Sequence, residues 1–278
     1  MRRATVLALA LVFAAGTAQA VDDRAAAAAA TVGPTAAECT APATLLAIGA
    51  PLHRVAARLK AGEPLTIVAL GSSSTRGYGA SAPQMSYPSR LEVELRERLP
   101  GVAVRVVNRG RNGDEIPQML ERVAPDVVAE HPDLVIWQMG TNAVLHGDTA
   151  ADEQQPIAQG IAQIQESGAD VVLMDLQYAP KVLAKPGYAA METVIAEAAQ
   201  RAHVGRFRRF EIMQHWQASS EDRAWMVGAD GLHMTDRGYA CLASELADSL
   251  IANWRPRIAQ SGGTQTVAGV GASGVSPR

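Results

Sequence analysis

The chain has 278 residues, of which 48% are hydrophobic and 19% are charged, a composition typical of a globular protein. Its 25 Lys and Arg residues are balanced by 28 Asp and Glu residues, and the formal net charge of −3 gives no basic surface of the kind that binds nucleic acid or an anionic membrane. We therefore discount nucleic acid and an anionic membrane as partners. The sequence does not predict an oligomeric state.

The first 20 residues have the three regions of a secretory signal peptide. Arg2 and Arg3 precede an apolar run over Ala4–Ala15, and small residues end the segment at Ala20. The apolar run is shorter than the ~20 residues that a membrane-spanning helix needs. We therefore expect cleavage after Ala20 and export to the periplasm or the medium, without a stable membrane anchor.

Composition divides the rest of the chain into two tails and a core. Residues 21–36 are rich in alanine, and residues 259–278 are rich in Gly, Ser, Thr and Val without helical periodicity. Both patterns are typical of linkers and disordered tails. We expect one folded domain over residues 37–258, large enough to bury roughly 70% of the surface that its unfolded chain exposes.

The chain has two cysteines, Cys39 and Cys241, near opposite ends of the predicted core. Export would place them in an oxidising compartment, where disulfides persist. Two separate buried thiols are the alternative, because a free cysteine packs as a small hydrophobic residue. We favour the bridge, since the terminal elements of the core could meet.

Four short runs rich in Val, Ile and Leu predict β-strands, and each is followed by Gly, Asn or Ser and then by a longer amphipathic stretch. Strands that are apolar along their whole length are buried on both faces, as in a parallel sheet covered by helices. We therefore expect a three-layer α/β fold. The four runs are Leu65–Leu70, Val102–Val107, Asp133–Trp137 and Asp170–Met174.

A fifth strand, over Val204–Met213, contains three arginines, so we place it at the edge of the sheet. In open parallel sheets, ligands bind beyond the carboxyl ends of the strands, and functional residues are expected in the loops there. The amphipathic stretches predict helices. These helices are Leu45–Leu59, Ser89–Leu99, Ile116–Glu130, Pro156–Glu166, Ala189–Ala202 and Asp236–Asn253.

Three of these loops contain residues that could take part in chemistry. After the first strand, three consecutive serines and a threonine lie between Gly71 and Gly77. Such a loop can present a nucleophile, although by itself it is more typical of a turn or a helix cap. The loops after the second and third strands contain Gly113 and Asn142, which could supply a backbone N–H and a side-chain amide at the same edge. A turn is the alternative for each.

Asp230 and His233 lie near the end of the predicted core, three residues apart. This spacing brings a carboxylate and an imidazole to one side of a helical turn. The Asp could then fix the tautomer of the His while the other ring nitrogen accepts a serine proton. An isolated pair of this kind is more often a surface hydrogen bond.

The order of these four features resembles that of the SGNH hydrolases, also called GDSL esterases and lipases, over roughly Leu65–Asn253. The resemblance implies a flavodoxin-like fold with five parallel strands and helices on both faces, and a carboxylic ester hydrolase domain over residues 37–258. Its site would consist of Ser73 as nucleophile, Asp230 and His233 as the acid and base of the triad, and Ser73, Gly113 and Asn142 as oxyanion-hole donors.

One position departs from the family. The Asp that usually precedes the nucleophile is Ser72 here. The hydrogen bonding of the loop must therefore differ, and Ser72 and Ser74 are alternatives for the nucleophile. When the family's motif is aligned by the flanking glycines Gly71 and Gly77, its nucleophile position corresponds to Ser73.

The other histidines do not lie at metal-ligand spacing from carboxylates or cysteines, so we expect neither a metal nor another cofactor. His146 follows the Asn142 loop closely enough to contact substrate, although an exposed loop histidine is the preferred interpretation. These histidines are His53, His131, His146, His203 and His215.

We expect the substrate to be a small-molecule or polysaccharide ester with a short acyl group, acetyl first, on a carbohydrate-like alcohol. Many exported members of the family are carbohydrate esterases, and Tyr78, Tyr87 and Tyr178 could offer flat surfaces to a sugar. No loop has the apolar run expected of a groove for a long acyl chain. The alternatives are a lysophospholipase-like lipase or thioesterase, a non-catalytic exported binding protein, and a phosphate- or nucleotide-binding module, which would leave Asp230 and His233 unexplained.

Overall fold

The computed structural model describes residues 39–220 and 225–261, and side chains as far as Trp254 in the last helix. The predicted signal peptide, the predicted linker at residues 21–36 and most of the predicted tail lie outside these ranges. The domain limits of 37–258 therefore stay a prediction.

Five parallel strands form one sheet in the order β2-β1-β3-β4-β5. Adjacent strands pair in register, with Ile67 of β1 opposite Val106 of β2 and Leu134 of β3. β2 lies on one side of β1, and β3, β4 and β5 follow on the other side. The loops after β1, β2 and β3 therefore lie beside one another at the carboxyl edge of the sheet. The strands are β1 Leu65–Gly71, β2 Val104–Gly110, β3 Leu134–Gln138, β4 Asp170–Met174 and β5 Gly205–Phe207.

Helices cover both faces of the sheet, which confirms the three-layer flavodoxin-like α/β fold. The described ranges contain eleven α-helices. These are α1 Ala43–Leu46, α2 His53–Ala61, α3 Ser73–Arg76, α4 Tyr87–Arg98, α5 Ile116–Glu121, α6 Thr141–His146, α7 Gln154–Glu166, α8 Pro180–Leu183, α9 Tyr188–Arg201, α10 Arg209–Ser219 and α11 Asp236–Ser261.

The alternation of side chains along the central strands produces two separate hydrophobic cores. In β1, Ile67 and Ala69 pack on one face with α2, α4, α10 and α11, whereas Val68 and Leu70 pack on the other with α5, α7 and α9. All four side chains are fully buried. The apolar strand pattern therefore reflects burial on both faces, as the sequence predicted.

Two predicted helices are interrupted. The stretch Leu45–Leu59 divides into α1 and α2, because Gly49 takes a left-handed φ of +85° and Pro51 follows it. The stretch Ile116–Glu130 is α-helical only in α5. Pro125 lacks the N–H that a continued α-helix needs, and the chain passes through a π turn at Val123–Val127 and a 3₁₀ turn at Val128–Glu130.

The fifth strand lies at the edge of the sheet as predicted, but only Gly205–Phe207 is extended, and α10 starts at Arg209. The cause is the buried carboxylate of Asp175, whose Oδ1 accepts the backbone N–H of Phe210 at 2.9 Å. This bond satisfies one of the free N–H groups at the start of the helix. The prediction of a strand as far as Met213 was therefore wrong.

Cys39 and Cys241 form a disulfide with their Cα atoms 5.0 Å apart, which confirms the predicted bridge. It joins the start of the described chain to α11 across 202 residues of sequence. Trp216 of α10 donates its indole N–H to the carbonyl oxygen of Cys39 at 3.1 Å, so three segments meet there.

Within the described ranges, no helix combines the length and the hydropathy of a membrane span.

Candidate active site

Ser73 is the first residue of α3, directly beyond the end of β1. The turn between them needs glycine at position 71, because a Cβ there would lie 2.2 Å from Thr75 Oγ1 and 2.7 Å from Gln138 Oε1. Gly110 at the end of β2 is equally constrained, since its Cβ would lie 2.1 Å from the backbone nitrogen of Arg76. The strand ends thus pack directly against α3 and place Ser73 at the carboxyl edge of the sheet.

The structure brings Ser73, His233 and Asp230 together in one chain of hydrogen bonds. His233 Nε2 lies 2.9 Å from Ser73 Oγ, and His233 Nδ1 lies 2.5 Å from Asp230 Oδ2. Asp230 Oδ1 accepts the backbone N–H groups of Leu232 and His233, both at 3.0 Å. Each carboxylate oxygen therefore has its own partners, and the ring orientation is fixed from both nitrogens.

The surroundings of Asp230 favour its charged form. Partial burial opposes ionisation, but the hydrogen bonds from the His233 ring and from the backbone N–H groups of Leu232 and His233 outweigh it and lower the pKa of the Asp230 carboxyl. A carboxylate beside Nδ1 retains the proton on that nitrogen. The lone pair of Nε2 then faces Ser73 Oγ, the arrangement that a general base requires.

Gly113 lies in the loop after β2, and Asn142 is the second residue of α6, which follows β3. Arg111 donates its backbone N–H to the carbonyl oxygen of Gly71 at 3.0 Å, and Asn142 Nδ2 donates to the carbonyl oxygen of Asp114 at 2.9 Å. The Gly113 loop is therefore held between the end of β1 and the start of α6. Among the described residues, none accepts a hydrogen bond from the backbone N–H of Ser73 or Gly113. The side-chain amide of Asn142 has a second N–H besides the one that it donates to Asp114.

Arg122 is a residue of this site that the sequence interpretation missed. Its buried guanidinium donates to the carbonyl oxygens of Gly71 at 3.0 Å and Arg109 at 2.7 Å, and to Asp114 Oδ2 at 2.7 Å. One side chain thus joins the end of β1, the end of β2 and the residue after Gly113. The sequence offered no sign of this, because an arginine within an amphipathic stretch is normally exposed.

Gln138, at the end of β3, explains the departure at position 72. Its buried Oε1 accepts hydrogen bonds from the backbone N–H of Ser72 at 2.9 Å, from Ser72 Oγ at 3.0 Å and from Thr75 Oγ1 at 3.1 Å. A carboxylate at position 72 would direct its oxygens at this acceptor. A hydroxyl donor therefore suits the position where the family usually has Asp.

The same contacts distinguish the three serines. Ser72 Oγ is directed to Gln138, and Ser74 Oγ accepts a hydrogen bond from the buried guanidinium of Arg209 at 3.3 Å. Among the three, only the hydroxyl of Ser73 contacts His233 in the described structure.

The three tyrosines predicted near the site have different environments. Tyr87 is fully buried and its hydroxyl lies 3.2 Å from Thr75 Oγ1, while Tyr178 packs edge-on against Phe210. Tyr87 belongs to the core and cannot offer its ring to a sugar, whereas Tyr178 is only partly buried and its contact with a sugar stays a prediction. Tyr78 is 54% exposed, with its ring centroid 4.4 Å from that of His233.

His146 is exposed, as preferred, and hydrogen-bonds Glu115 at the start of α5. Within the described ranges, no three His, Cys, Asp or Glu side chains are grouped so that they could hold a metal ion.

The sequence of the chain matches the model of the non-GDSL lipase-like family over residues 38–255. The chain belongs to this family. It is 29% identical to an arylesterase of Vibrio mimicus over 199 residues, which are 71% of this chain and 92% of that protein. This non-GDSL lipase-like protein is accordingly a carboxylic ester hydrolase, and the resemblance to the SGNH hydrolases is confirmed.

Solved structures share the fold of this family member. A two-domain esterase active on acetylated mannans superposes with a TM-score of 0.60 at 21% identity, over 74% of this chain and 55% of that one. The chain therefore spans about half the length of that esterase. The crystal structure of TesA superposes with a TM-score of 0.56 at 24% identity, over 69% of this chain and 99% of that one.

The contacts of Ser72 generate a test of the loop that contains Ser73. We expect Ser72→Asp to lower the free energy of unfolding by about 1–3 kcal/mol more than Ser72→Ala, because the carboxylate would face a buried acceptor whereas alanine only removes a donor. Urea denaturation of the two variants at neutral pH measures this difference. Equal stability of the two variants would contradict the assigned role of Gln138.

Proposed function

We propose that this protein is an exported serine esterase that removes short acyl groups, acetyl above all, from carbohydrate-like alcohols. The observation that carries the proposal is the chain of hydrogen bonds from Ser73 through His233 to Asp230. Its order and spacing are those of an acyl-transfer triad. A binding protein without catalysis would have no need of this arrangement.

In the proposed reaction, Ser73 Oγ attacks the ester carbonyl while His233 Nε2 takes its proton. The carbonyl oxygen becomes an oxyanion, for which the donors are the backbone N–H groups of Ser73 and Gly113 and the free N–H of Asn142. His233 then gives the proton to the departing alcohol, leaving an acyl-enzyme. Water, deprotonated by the same nitrogen, releases the acid and regenerates Ser73.

The nucleophile is tested by Ser73→Ala, which we expect to lower kcat on p-nitrophenyl acetate by about 10⁴-fold or more. The fold should survive, since the side chain is at the surface edge of the sheet, and thermal denaturation serves as the check. Mass spectrometry after treatment with a fluorophosphonate should place the label on Ser73. A label on Ser72 or Ser74 would refute the assignment.

The preference for short acyl groups is supported by the scarcity of apolar surface. In the described ranges, only two large hydrophobic side chains are exposed, Tyr78 and Val93. A long acyl chain gains ~0.8 kcal/mol per buried methylene, so an enzyme that selects such chains needs an extended apolar groove. The related fold of an esterase active on acetylated mannans adds support for a carbohydrate ester.

Acyl selectivity is measured with p-nitrophenyl esters from acetyl to decanoyl. We expect kcat/KM to be greatest for acetyl and to decline with chain length, because the extra methylenes would stay in water. Release of acetate from an acetylated polysaccharide is the matching measurement on a natural type of alcohol. A steady rise of kcat/KM toward decanoyl would favour the lipase or thioesterase instead.

Export is supported by the bridge between Cys39 and Cys241, because structural disulfides persist in oxidising compartments and are rare in the cytosol. We expect protein recovered from the periplasm or the medium to begin at Val21. Mass spectrometry of its N-terminus, combined with non-reducing peptide mapping, tests both features. An uncleaved N-terminus with two free thiols would be the opposite result.

A further inference from the structure

Tyr78 is a large aromatic side chain that lies exposed beside His233. Large hydrophobic side chains in the described ranges are otherwise buried or half-buried, apart from Val93 on the solvent side of α4. An aromatic ring next to a reactive group is a favourable surface for another ring, because its face is apolar and it loses little conformational entropy when a ligand packs on it. The exposed face of Tyr78 is therefore available to a substrate.

The backbone of Tyr78 is held in place. It lies between Gly77 at φ +96° and Gly79 at φ +88°, two left-handed positions that bring the loop against the segment carrying His233. A Cβ at Gly79 would lie 2.7 Å from the carbonyl oxygen of Met234. The buried Tyr239 donates its hydroxyl to the carbonyl oxygen of Tyr78 at 2.8 Å. The ring is thus presented from a constrained backbone rather than from a free loop.

The position of Tyr78 identifies the part of an ester that it would meet. In the proposed reaction, the carbonyl oxygen faces Gly113 and Asn142, whereas the departing alcohol receives its proton from His233 Nε2. The Tyr78 ring is tilted by 43° to the His233 ring, with the centroids 4.4 Å apart. The alcohol, rather than the acyl group, therefore leaves past Tyr78.

We propose that Tyr78 is a specificity-determining residue that binds the alcohol portion of the ester and selects alcohols with a ring. This inference rests on the proposed esterase function. The shared chemistry is a flat ring with an apolar face, which either an aryl group or a pyranose provides, and which stacks on the phenol ring. A small acyclic alcohol has no such face.

The test uses three acetates that differ only in the alcohol: ethyl acetate, phenyl acetate and an acetylated methyl glucoside. Comparing wild type and variant on each ester cancels the intrinsic reactivity of the leaving group. We expect Tyr78→Ala to lower kcat/KM for a ring ester by about 3- to 10-fold more than for ethyl acetate, with the loss mainly in KM. Tyr78→Phe should restore the ring preference, because it keeps the ring.

Val93→Ala is the matched control, since it removes the other exposed hydrophobic side chain and should leave the ratios of kcat/KM unchanged. A selective loss on phenyl acetate alone, or on the sugar ester alone, supports the proposal and identifies the ring. An equal loss on all three acetates overturns it, because Tyr78 would then act through His233. If the wild type hydrolyses none of these acetates, the proposed function as a short-acyl esterase fails.

Discussion

The site depends first on the buried guanidinium of Arg122, which holds together the ends of two neighbouring strands. Parallel strands bring their loops to one edge of the sheet but do not by themselves fix how those loops meet. Arg122 donates to the carbonyl oxygens that end β1 and β2 and to Asp114, and so connects the Ser73 turn with the Gly113 loop. Removing it would take one donor from each of the carbonyl oxygens of Gly71 and Arg109 and from the half-buried carboxylate of Asp114.

A second buried arginine, Arg209, supports the loop that contains Ser73 from the other side. Arg209 donates to the carbonyl oxygen of Asp175 and to Ser74 Oγ, while the Asp175 carboxylate pairs with Arg206 at the edge strand. Burial, followed by the neighbouring charge of Asp175, raises the pKa of Glu192 to about 9. At neutral pH this cluster therefore keeps a proton, which reduces the repulsion between two buried carboxyl groups.

The sequence predicted what depends on local pattern and missed what depends on distant partners. The apolar strand runs predicted the sheet, and the three arginines within Val204–Met213 predicted the edge position of β5. The pairing of His233 with Ser73 was predicted from the resemblance to the SGNH hydrolases. Arg122 and Arg209 could not be found this way, because their burial follows from carbonyl groups far along the chain. The same limit applied to α10, whose start depends on Asp175, and to Tyr87, whose ring is enclosed by helices that only the fold brings together.

The position of His233 is determined by side-chain and loop contacts rather than by the sheet. Asp230 and His233 lie in a segment before α11, and the loop after α3 is tied to the start of that helix: Asp236 Oδ1 accepts the backbone N–H of Ser81 at 2.8 Å. Tyr239 of α11 binds the carbonyl oxygen of Tyr78 in the same loop. Since the disulfide also anchors α11 at Cys241, the distance between Ser73 and His233 depends on how this helix packs. Asp230 and His233 therefore belong to one structural unit and Ser73 to another, and α11 connects them.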